Sequence, residues 1–529
     1  MSSAQIKSIP VDDKPSIKSI NPATLAILGE VPNLDEAAVV RAVMSARAAQ
    51  PAWAALGFSG RKKFLLAARD KILSSIDAIA LLISEENGKP IAEAIGNDIM
   101  PVLDLMTYFA GQAEKILRKE RLKLGKWTLL GRRSHLEYYP YGVIGVIAPW
   151  NFPFSIPMGE VAMALMAGNA VVLKPSEHTP LIGLKVQEVF DSIGLPKDVL
   201  KIVTGDGLTG AALIKARVDK IAFTGSVPTG KKIMAACAEH LIPVTLELGG
   251  KDPMLVFEDA DLDVASSAAV WGAFCNSGQV CASVERVYVH HSIADEFTRQ
   301  VVEKTKKLRQ GNGQSTDVDM GAMTMELQLK KVEAHVADAK KRGAKILVGG
   351  EREGQAKGWF FPPTVMTGVD HSFPVVKEET FGPVLPIMTF KTEEEAVHLA
   401  NDSDYGLNAY IWTKNRVRGE RLASRMVAGT VTLNDSVFTF VLPMTPWGGP
   451  KQSGLGRTHG ALGLLDLVQV RHIHINTQAA KRNFFWWYSY SPEKIVMMKT
   501  LCLALFGKGF SRMAALLRFI GMSLKAKVL

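Results

Sequence analysis

Cysteine is scarce in this sequence: only 4 occur in 529 residues, at Cys237, Cys275, Cys281 and Cys502. So few thiols exclude the disulfide framework of a small secreted protein, and each is either a core side chain or a reactive group. A secretory signal is missing as well, because residues 1–5 are followed by polar and charged residues rather than an apolar segment. These absences predict a cytoplasmic protein.

Long apolar runs are also absent. Hydrophobic residues make up 47% of the chain, charged residues make up 22%, and the mean hydropathy is +0.10. These values are typical of globular proteins and exclude both a disordered chain and a polytopic membrane protein. At roughly 150 residues per domain, the length predicts about three domains.

Most of the chain lacks an excess of charge of either sign. Residues 481–529 contain nine Lys or Arg and one acid, whereas the 480 residues before them contain 53 bases and 51 acids. The net charge of +10 therefore belongs mainly to the C-terminal end. A nucleic acid-binding surface would show basic stripes within the folded body, so no nucleic-acid partner is predicted.

Residues 481–529 combine these cations with aromatic and apolar residues. An aromatic cluster at 484–490 precedes two apolar helical patterns. The second pattern has Ser511 as its predicted N-cap, and five apolar residues share one face: Met513, Leu516, Leu517, Ile520 and Leu524. Lys and Arg residues interrupt every apolar run, so no run reaches the about 18 residues that a membrane-spanning helix needs. The pattern predicts either a membrane-surface element or a segment that packs on the protein itself or on a partner subunit.

From residue 143 onward, short apolar runs alternate with helical segments. The runs lie at 143–147, 170–173, 200–203, 220–223 and 244–246, then at 254–257, 284–289, 345–348, 384–390 and 430–433. Strands at this spacing, with helices between them, predict βαβ units and two mostly parallel α/β layer systems. Residues 120–140 instead alternate like exposed strands.

Two residues have the surroundings of reactive groups. Cys281 lies between an apolar helical stretch and a strand, among small residues, where a substrate can reach it and backbone N–H groups can hold an oxyanion. Glu247 ends an apolar run beside Gly249 and Gly250, and a carboxylate among apolar neighbours has a raised pKa that suits a general base. The alternatives are a structural thiol and an ordinary strand-end Glu paired with a Lys.

Three loops are candidate ligand sites. F-T-G-S at 223–226 leads into a helix whose free N–H groups attract a phosphate. The G-x-G-x-x-G match at 205–210 is discounted, because the acidic residue expected after it is missing. Asn151, in P-W-N-F-P, is either a rigid oxyanion donor or an Asx-turn that caps a helix.

Seven segments follow one another as in a known superfamily. They are P-W-N-F-P at 149–153, K-P-S-E at 174–177, F-T-G-S at 223–226, L-E-L-G-G-K at 246–251, G-Q-V-C at 278–281, E-E-T-F-G-P-V at 378–384 and P-W-G-G-P-K-Q-S-G-L-G-R at 446–457. Together they resemble the aldehyde dehydrogenase superfamily, from about residue 21 to residue 474.

The resemblance implies an α/β fold in three parts. A Rossmann-like cofactor domain would comprise 1–118 and 141–249, and a catalytic domain would comprise 250–463. An oligomerisation element at 119–140 and 464–480 would build a homodimer or homotetramer. Residues 481–529 form the basic, aromatic tail outside this pattern.

The resemblance also implies the chemistry. Cys281 would attack an aldehyde, Asn151 and the Cys281 N–H would hold the oxyanion, and Glu247 would activate water. The cofactor would be NAD, with NADP possible, because a carboxylate at Glu177 repels a 2′-phosphate. The residues assigned to it are Ile147, Trp150, Lys174, Glu177, Gly225, Ser226, Glu379 and Phe381; no metal site is assigned.

The substrate is expected to be a hydrophobic or long-chain aldehyde. Gly159 stands where relatives often have a bulky aromatic residue, Trp447 would form one wall, and residues 437–441 are apolar. The alternative is succinate semialdehyde, for which Arg286 or Arg457 would have to bind the far carboxylate. Two alternatives of another kind are a cysteine hydrolase and a catalytically silent scaffold that the tail recruits to membranes.

Overall fold

The computed structural model describes residues 15–352, 357–477 and 486–525. Residues 1–14 and, in the predicted aromatic cluster, Phe484 and Phe485 lie outside the described residues. The chain folds as two compact units. One comprises the residues up to Ile116 together with Pro140–Val468, and the other comprises Leu117–Tyr139 and the residues from Gln469 on. The division into cofactor, catalytic and oligomerisation parts stays a prediction.

The strands alternate with helices along most of the first unit. The strands are β1 (Ser16–Ile20), β2 (Ile27–Pro32), β3 (Glu120–Leu122), β4 (Arg132–Pro140), β5 (Val143–Ile147), β6 (Ala170–Lys174), β7 (Leu200–Ile202), β8 (Lys220–Thr224), β9 (Val244–Glu247), β10 (Asp252–Val256), β11 (Val284–His290), β12 (Lys345–Val348), β13 (Thr364–Thr367), β14 (Val384–Phe390), β15 (Asn408–Trp412), β16 (Thr430–Leu433), β17 (Gly454–Leu455) and β18 (Val468–Asn476).

The helices range from single turns to about five turns. They are α1 (Glu36–Ala55), α2 (Gly57–Ser74), α3 (Ile76–Asn87), α4 (Ile91–Glu93), α5 (Met100–Ile116), α6 (Ser155–Ala167), α7 (Pro180–Ser192), α8 (Gly207–Lys215), α9 (Val227–Ala238), α10 (Leu262–Phe274), α11 (Ala294–Thr305), α12 (Glu326–Lys341), α13 (Pro374–Lys377), α14 (Glu393–Asn401), α15 (Arg416–Ala423), α16 (Gly460–Asp466), α17 (Pro492–Phe506) and α18 (Gly509–Lys525).

The first sheet has the strand order β17-β9-β8-β5-β6-β7, and the pairs from β9 to β7 are parallel. Every residue of β5 is buried, because helices cover both faces of a parallel sheet. The carboxyl ends of parallel strands meet at one edge, so the loops after β5, β6, β8 and β9 lie together. The register confirms this, since Ile147 pairs with both Lys174 and Phe223, and Thr224 pairs with Glu247.

The second sheet has the order β12-β13-β14-β11-β10-β15-β16, parallel from β13 to β16. These two sheets confirm the predicted α/β fold. The short strand β17 adds to the first sheet, antiparallel to β9, with Gly454 opposite Glu247. This pairing brings the P-W-G-G-P-K-Q-S-G-L-G-R segment beside the strand that ends at Glu247.

The second unit contains a sheet in the order β18-β4-β3 and a helical hairpin, α17 with α18. Met497 and Phe519 are buried between the hairpin helices. The predicted α18 face from Met513 to Leu524 is confirmed and is exposed. Ser511 is not the N-cap, because α18 begins at Gly509 and the Ser511 hydroxyl donates to the Lys508 carbonyl inside the helix. Within the described residues, no helix combines the length and the apolarity needed to cross a membrane.

Candidate active site

Cys281 follows a tight turn between α10 and β11. Asn276 and Ser277 have φ values of 51° and 55° in this turn, and Gly278 has a φ of 73°. A Cβ at Gly278 would lie 2.2 Å from the Gly382 carbonyl oxygen, so only glycine fits there. Non-glycine residues in the left-handed region cost roughly 1–3 kcal/mol each and concentrate at functional sites. The turn places Cys281, which is partly buried, at the start of the second sheet.

The surroundings of Cys281 keep its thiol protonated. Burial raises its pKa well above the usual value, and the carboxyl groups of Asp252, Glu379 and Glu247 raise it further. Since the thiolate is the nucleophile, the proton has to leave before Cys281 can attack.

Glu247 ends β9 and is 5% exposed. Neither of its carboxyl oxygens has a hydrogen-bond partner among the described residues. Burial raises its pKa well above the usual value, and the nearby Glu160 carboxyl adds to this. A carboxyl group with a raised pKa and free oxygens can accept a proton from water.

Asn151 lies in the loop after β5 and is buried. Its side-chain Nδ2 donates to the Gln279 carbonyl at 3.1 Å, which links it to the turn that precedes Cys281. The amide has a second N–H, which can donate to a ligand. The Asx-cap alternative is wrong for α6, because the residue at its N-cap is Phe154 and the cap has no side-chain hydrogen bond.

Two cavities meet at Cys281. The larger cavity has a volume of about 1900 Å³ and runs over the carboxyl edge of the first sheet. The smaller cavity has a volume of about 800 Å³ and lies between α5, α6 and residues 440–459. Four residues line both cavities: Thr224, Glu247, Leu248 and Cys281. A ligand in either cavity therefore reaches the same thiol and the same carboxyl group.

The smaller cavity has mainly apolar walls. Phe440 stands 5.3 Å from Phe152 and 6.3 Å from Trp447, measured between ring centroids. Pro101, Val102, Leu105, Ile156 and Val441 complete much of the wall. Of the described residues that line this cavity, none is Lys or Arg.

Two further titratable residues line the smaller cavity. Burial raises the pKa of Glu160 to about 7, with the Asp466 carboxyl raising it and Lys220 opposing. Burial lowers the pKa of His459 to about 4, so its imidazole is neutral at physiological pH. Gly159 does not line the cavity; its neighbour Glu160 does.

The larger cavity begins at the N-terminus of α9. Gly225, Ser226 and Thr229 line it; the hydroxyl of the N-cap Ser226 donates to Thr229 Oγ1 at 3.0 Å and accepts no backbone N–H of the helix. The first N–H groups of α9 are thus available to an anionic ligand. On the neighbouring strand end, Lys174 Nζ lies 2.6 Å from Glu177 Oε2. Burial opposes ionisation of Glu177, but Lys174 outweighs it and lowers the carboxyl pKa.

The other end of the larger cavity holds Glu379 and Phe381. Glu379 Oε1 accepts the Gly250 N–H at 3.1 Å, and burial raises the pKa of this carboxyl to about 7. The Phe381 ring meets the Trp150 ring edge-on at 5.4 Å. Ile147 lines the same cavity at the end of β5. All eight residues assigned to the cofactor thus line one cavity.

Comparisons with known proteins agree with this geometry. A model described as the aldehyde dehydrogenase family matches residues 10–473. The chain belongs to the aldehyde dehydrogenase family. It is 42% identical to a 4,4′-diapolycopene aldehyde oxidase from Methylomonas sp over 85% of this chain and 84% of the relative. It is 38% identical to the peroxisomal aminoaldehyde dehydrogenase 1 of Pisum sativum over 92% and 97%, respectively.

A solved structure has the same fold. The NAD+ complex of an aldehyde dehydrogenase from Bacillus cereus is 36% identical and superposes with a TM-score of 0.84, covering 88% of this chain and 94% of that one. The predictions of an α/β fold and of an aldehyde dehydrogenase enzyme are therefore confirmed.

Sequence reasoning missed some features of this aldehyde dehydrogenase site. The discounted segment at 205–210 does border the larger cavity, since Gly207 and Gly210 of α8 line it. Its first turn is capped by Asp206, which accepts the Leu208 N–H at 2.8 Å. Glu160 was missed because an isolated Glu within an apolar helix carries no motif.

The two candidate cations for a substrate carboxylate do not line the smaller cavity. Arg286 is buried, and its guanidinium donates to four backbone carbonyls: those of Lys251, Leu399, Ala400 and Asp402. Arg457 donates to the Gly456 carbonyl at 2.6 Å. Neither lines the smaller cavity, so the interpretation of either as a substrate ligand is not supported.

Proposed function

We propose that this aldehyde dehydrogenase uses NAD to oxidise a hydrophobic or long-chain aldehyde to its carboxylic acid. One observation carries the proposal: Cys281 and Glu247 both line the apolar cavity and the larger groove, so aldehyde and cofactor can reach the same thiol and carboxyl group. The other features of the site specify the role of each residue.

Cys281 acts as the nucleophile in this proposal. After loss of its proton, its sulfur bonds to the aldehyde carbon, and the carbonyl oxygen becomes an oxyanion. The second N–H of Asn151 and the backbone N–H of Cys281 donate to that oxyanion, which stabilises the thiohemiacetal. Loss of hydride from the same carbon converts it to a thioester on Cys281.

Glu247 acts in the second half of the reaction. Its free carboxylate accepts a proton from water as the water oxygen attacks the thioester carbon. The C–S bond then breaks, the carboxylic acid leaves, and Cys281 recovers its thiol. Glu247 suits this role because neither of its oxygens is engaged by another described residue.

The residues of the larger groove fit a dinucleotide. A Cβ at Gly249 would lie 2.3 Å from Glu379 Oε1, so a side chain here would displace the Glu379 carboxyl group from its present position in the groove. The free end of α9 suits a pyrophosphate, and the Lys174–Glu177 pair suits ribose hydroxyls. NAD, when bound, supplies the hydride acceptor. The Glu177 carboxylate favours NAD over NADP, because it repels a 2′-phosphate.

Apolar walls support the hydrophobic substrate. Phe152, Phe440 and Trp447 offer a large apolar surface, and no described Lys or Arg faces the cavity. Succinate semialdehyde would need such a cation for its second carboxylate, so it is disfavoured. The relative that acts on 4,4′-diapolycopene aldehyde supports an extended apolar substrate.

Glu160 favours a second candidate substrate, an aldehyde with a cationic group. It is a carboxyl group in a cavity that also contains three aromatic rings, and cations bind both carboxylates and ring faces. The aminoaldehyde dehydrogenase relative supports this alternative. With a pKa of about 7, Glu160 is only partly charged near neutral pH, which places this substrate second.

The α17–α18 hairpin supports a proposed contact with a membrane surface. Phe510, Leu517 and Leu524 are exposed by 88%, 66% and 66%. Arg512 and Arg518 stand on the same helix, which contains no Asp or Glu. Apolar and cationic side chains together suit an anionic bilayer surface, where a hydrophobic aldehyde would also collect. A cytoplasmic homodimer or homotetramer is part of the same proposal.

The test is NADH formation, followed at 340 nm, with aldehydes of increasing chain length, an aminoaldehyde and succinate semialdehyde. Each is run with NAD and with NADP. We expect the rate to rise with chain length and to favour NAD. Preference for the aminoaldehyde would select the second candidate, and preference for succinate semialdehyde would overturn the substrate proposal. No turnover with any aldehyde would favour a silent scaffold.

Two controls isolate the thiol and the tail. Cys281→Ser should lose turnover, whereas Cys502→Ser, an exposed thiol in the hairpin, should keep it. Removal of residues 481–529 should abolish sedimentation with anionic liposomes at low salt and leave oxidation of a short aldehyde unchanged. Liposome binding that survives the removal would contradict the membrane proposal.

A further inference from the structure

A widened helical turn contacts both loops that form the oxyanion site. The π-helical turn Ala94–Ile99 lies between α4 and α5. Such turns are rare and often occur at functional sites. Asp98 and Asn97 on this turn, and Glu93 just before it, each bond to a segment next to Asn151 or Cys281. No role in the proposed reaction has yet been given to them.

Asp98 supports the Asn151 loop. Its Oδ1 accepts the N–H groups of Phe154 and Ser155 at 3.2 and 3.0 Å, where α6 begins. Its Oδ2 accepts Lys89 Nζ at 2.6 Å, and both charged side chains are fully buried. Lys89 in turn donates to the Asn151 backbone carbonyl at 2.8 Å. The ion pair thus contacts the loop at two points, at Asn151 itself and at the start of α6.

The same region supports the turn before Cys281. Glu93 Oε2 accepts the Asn276 N–H at 2.9 Å, and Asn97 Nδ2 lies 3.2 Å from Cys275 Sγ. Asn276 is one of the residues with a left-handed backbone. Its Nδ2 donates to the Asn151 carbonyl at 2.8 Å, so this oxygen accepts from both Lys89 and Asn276.

We infer that Lys89 and Asp98, with the π-helical turn, are positioning residues that hold the Asn151 amide and the Cys281 loop at the spacing an oxyanion requires. The inference rests on the proposed function. Both contacts meet at the Asn151 carbonyl oxygen, which accepts from Lys89, the partner of Asp98 on the π-helical turn, and from Asn276 in the turn before Cys281. Separating a buried ion pair is costly, because each charge would be left unpaired in the protein interior. Catalysis is sensitive to such spacing, since a 1 Å error can cost about 100-fold in rate.

The test compares Lys89→Met and Asp98→Asn with a matched control, Glu86→Gln. Glu86 is also a buried carboxyl that accepts N–H groups at a helix start, those of Leu181 and Ile182. We expect Lys89→Met and Asp98→Asn to slow the first-turnover burst of NADH by about 10- to 100-fold while NAD affinity is unchanged. Glu86→Gln should lower the melting temperature but keep the burst rate.

Hydrogen exchange gives a readout that does not depend on activity. Peptides covering 149–155 and 275–281 should exchange faster together in Lys89→Met and Asp98→Asn, but not in Glu86→Gln. Unchanged exchange in either peptide, or a burst that keeps its wild-type rate while exchange rises, would overturn the inference. If the wild type itself gives no burst with any aldehyde, the proposed function fails, and the exchange data still decide whether the two loops are held together.

Discussion

The two cavities that meet at Cys281 are built from different chemistry. The larger cavity, which is the proposed cofactor groove, lies on strand ends and a helix N-terminus and contains a close ion pair, Lys174 with Glu177 at 2.6 Å. The substrate cavity is apolar, and its two carboxyl groups, Glu160 and Glu247, form no ion pair within the described residues. The groove therefore suits one fixed polar ligand. The cavity selects by shape and by the cost of burying charge.

The largest expected effect is at the boundary between the two cavities. Glu247→Gln removes the base but keeps the size of the side chain, so the thioester should form and then persist. Steady turnover should fall by about 100- to 10,000-fold, the usual contribution of a general base, while a burst of NADH remains. Stopped-flow absorbance at 340 nm separates the two phases. Loss of the burst together with turnover would show that Glu247 is also needed before the thioester forms.

The wild-type pH profile tests the protonation states of Cys281 and Glu247, the two titratable residues that line both cavities. Because the pKa values of Cys281 and Glu247 are both raised, and both must lose a proton to act, activity should increase as the pH rises above neutral. The increase should be smaller for the burst in Glu247→Gln, where only the thiol still titrates. A wild-type profile that is flat from neutral to alkaline pH would contradict the protonated resting state.

The charge pairing in the groove sets the next prediction. Glu177→Ser removes the carboxylate that repels a 2′-phosphate and frees Lys174 to bind it. The ratio of kcat/KM for NAD to that for NADP should fall by at least about tenfold, the equivalent of 1.4 kcal/mol. Glu188→Ser is the matched control, because Glu188 forms a similar i,i+3 pair with Lys185 at 2.7 Å on α7. An equal change of this ratio in Glu177→Ser and Glu188→Ser would show that Glu177 does not determine the preference for NAD over NADP.

The aromatic walls set a prediction for the substrate cavity. Phe440→Ala removes the ring between Phe152 and Trp447, so KM for a long aldehyde should rise by about 10-fold or more, while KM for a short aldehyde changes little. Phe438→Ala, an exposed ring two residues away, is the control. An equal rise for short and long aldehydes would mean that Phe440 supports the fold rather than the substrate.

The difference between the two cavities explains why the sequence predicts residues of the cofactor groove better than those of the substrate cavity. Eight residues of the groove could be predicted, because they follow parallel strands whose carboxyl ends must meet or lie in local motifs. The strands 143–147, 220–223 and 244–246 agree with β5, β8 and β9 within one residue. The segment 205–210 lines the groove at Gly207 and Gly210 although its G-x-G-x-x-G match is discounted, and its position directly after a strand is the signal that could have placed it there.

The substrate cavity could not be predicted in the same way. Its walls come from α5, α6 and residues 440–459, which are brought together only by tertiary packing. Arg286 is a candidate in the sequence, yet its buried guanidinium donates to four backbone carbonyls and to the Tyr288 hydroxyl. The strand β15, which lies between β10 and β16, was missed because N-A-Y-I-W does not alternate between apolar and polar residues. Lys89 and Asp98 stand nine residues apart without a motif, and only the π-helical turn shows why both are buried.

The smallest predicted effect concerns Glu160, a buried carboxyl group of the apolar cavity. Its pKa of about 7 exceeds the ordinary 4.5, so the folded protein binds this proton more tightly than the unfolded chain does. The group's contribution to the free energy of unfolding therefore falls as the pH rises from 5 to 7, by on the order of 2 kcal/mol. Glu160→Gln removes this titration, so the stability difference between variant and wild type, measured by urea unfolding, should grow over that range. The paired Glu177 has a lowered pKa and should show no such fall. A constant difference for Glu160→Gln would contradict the raised pKa of the Glu160 carboxyl.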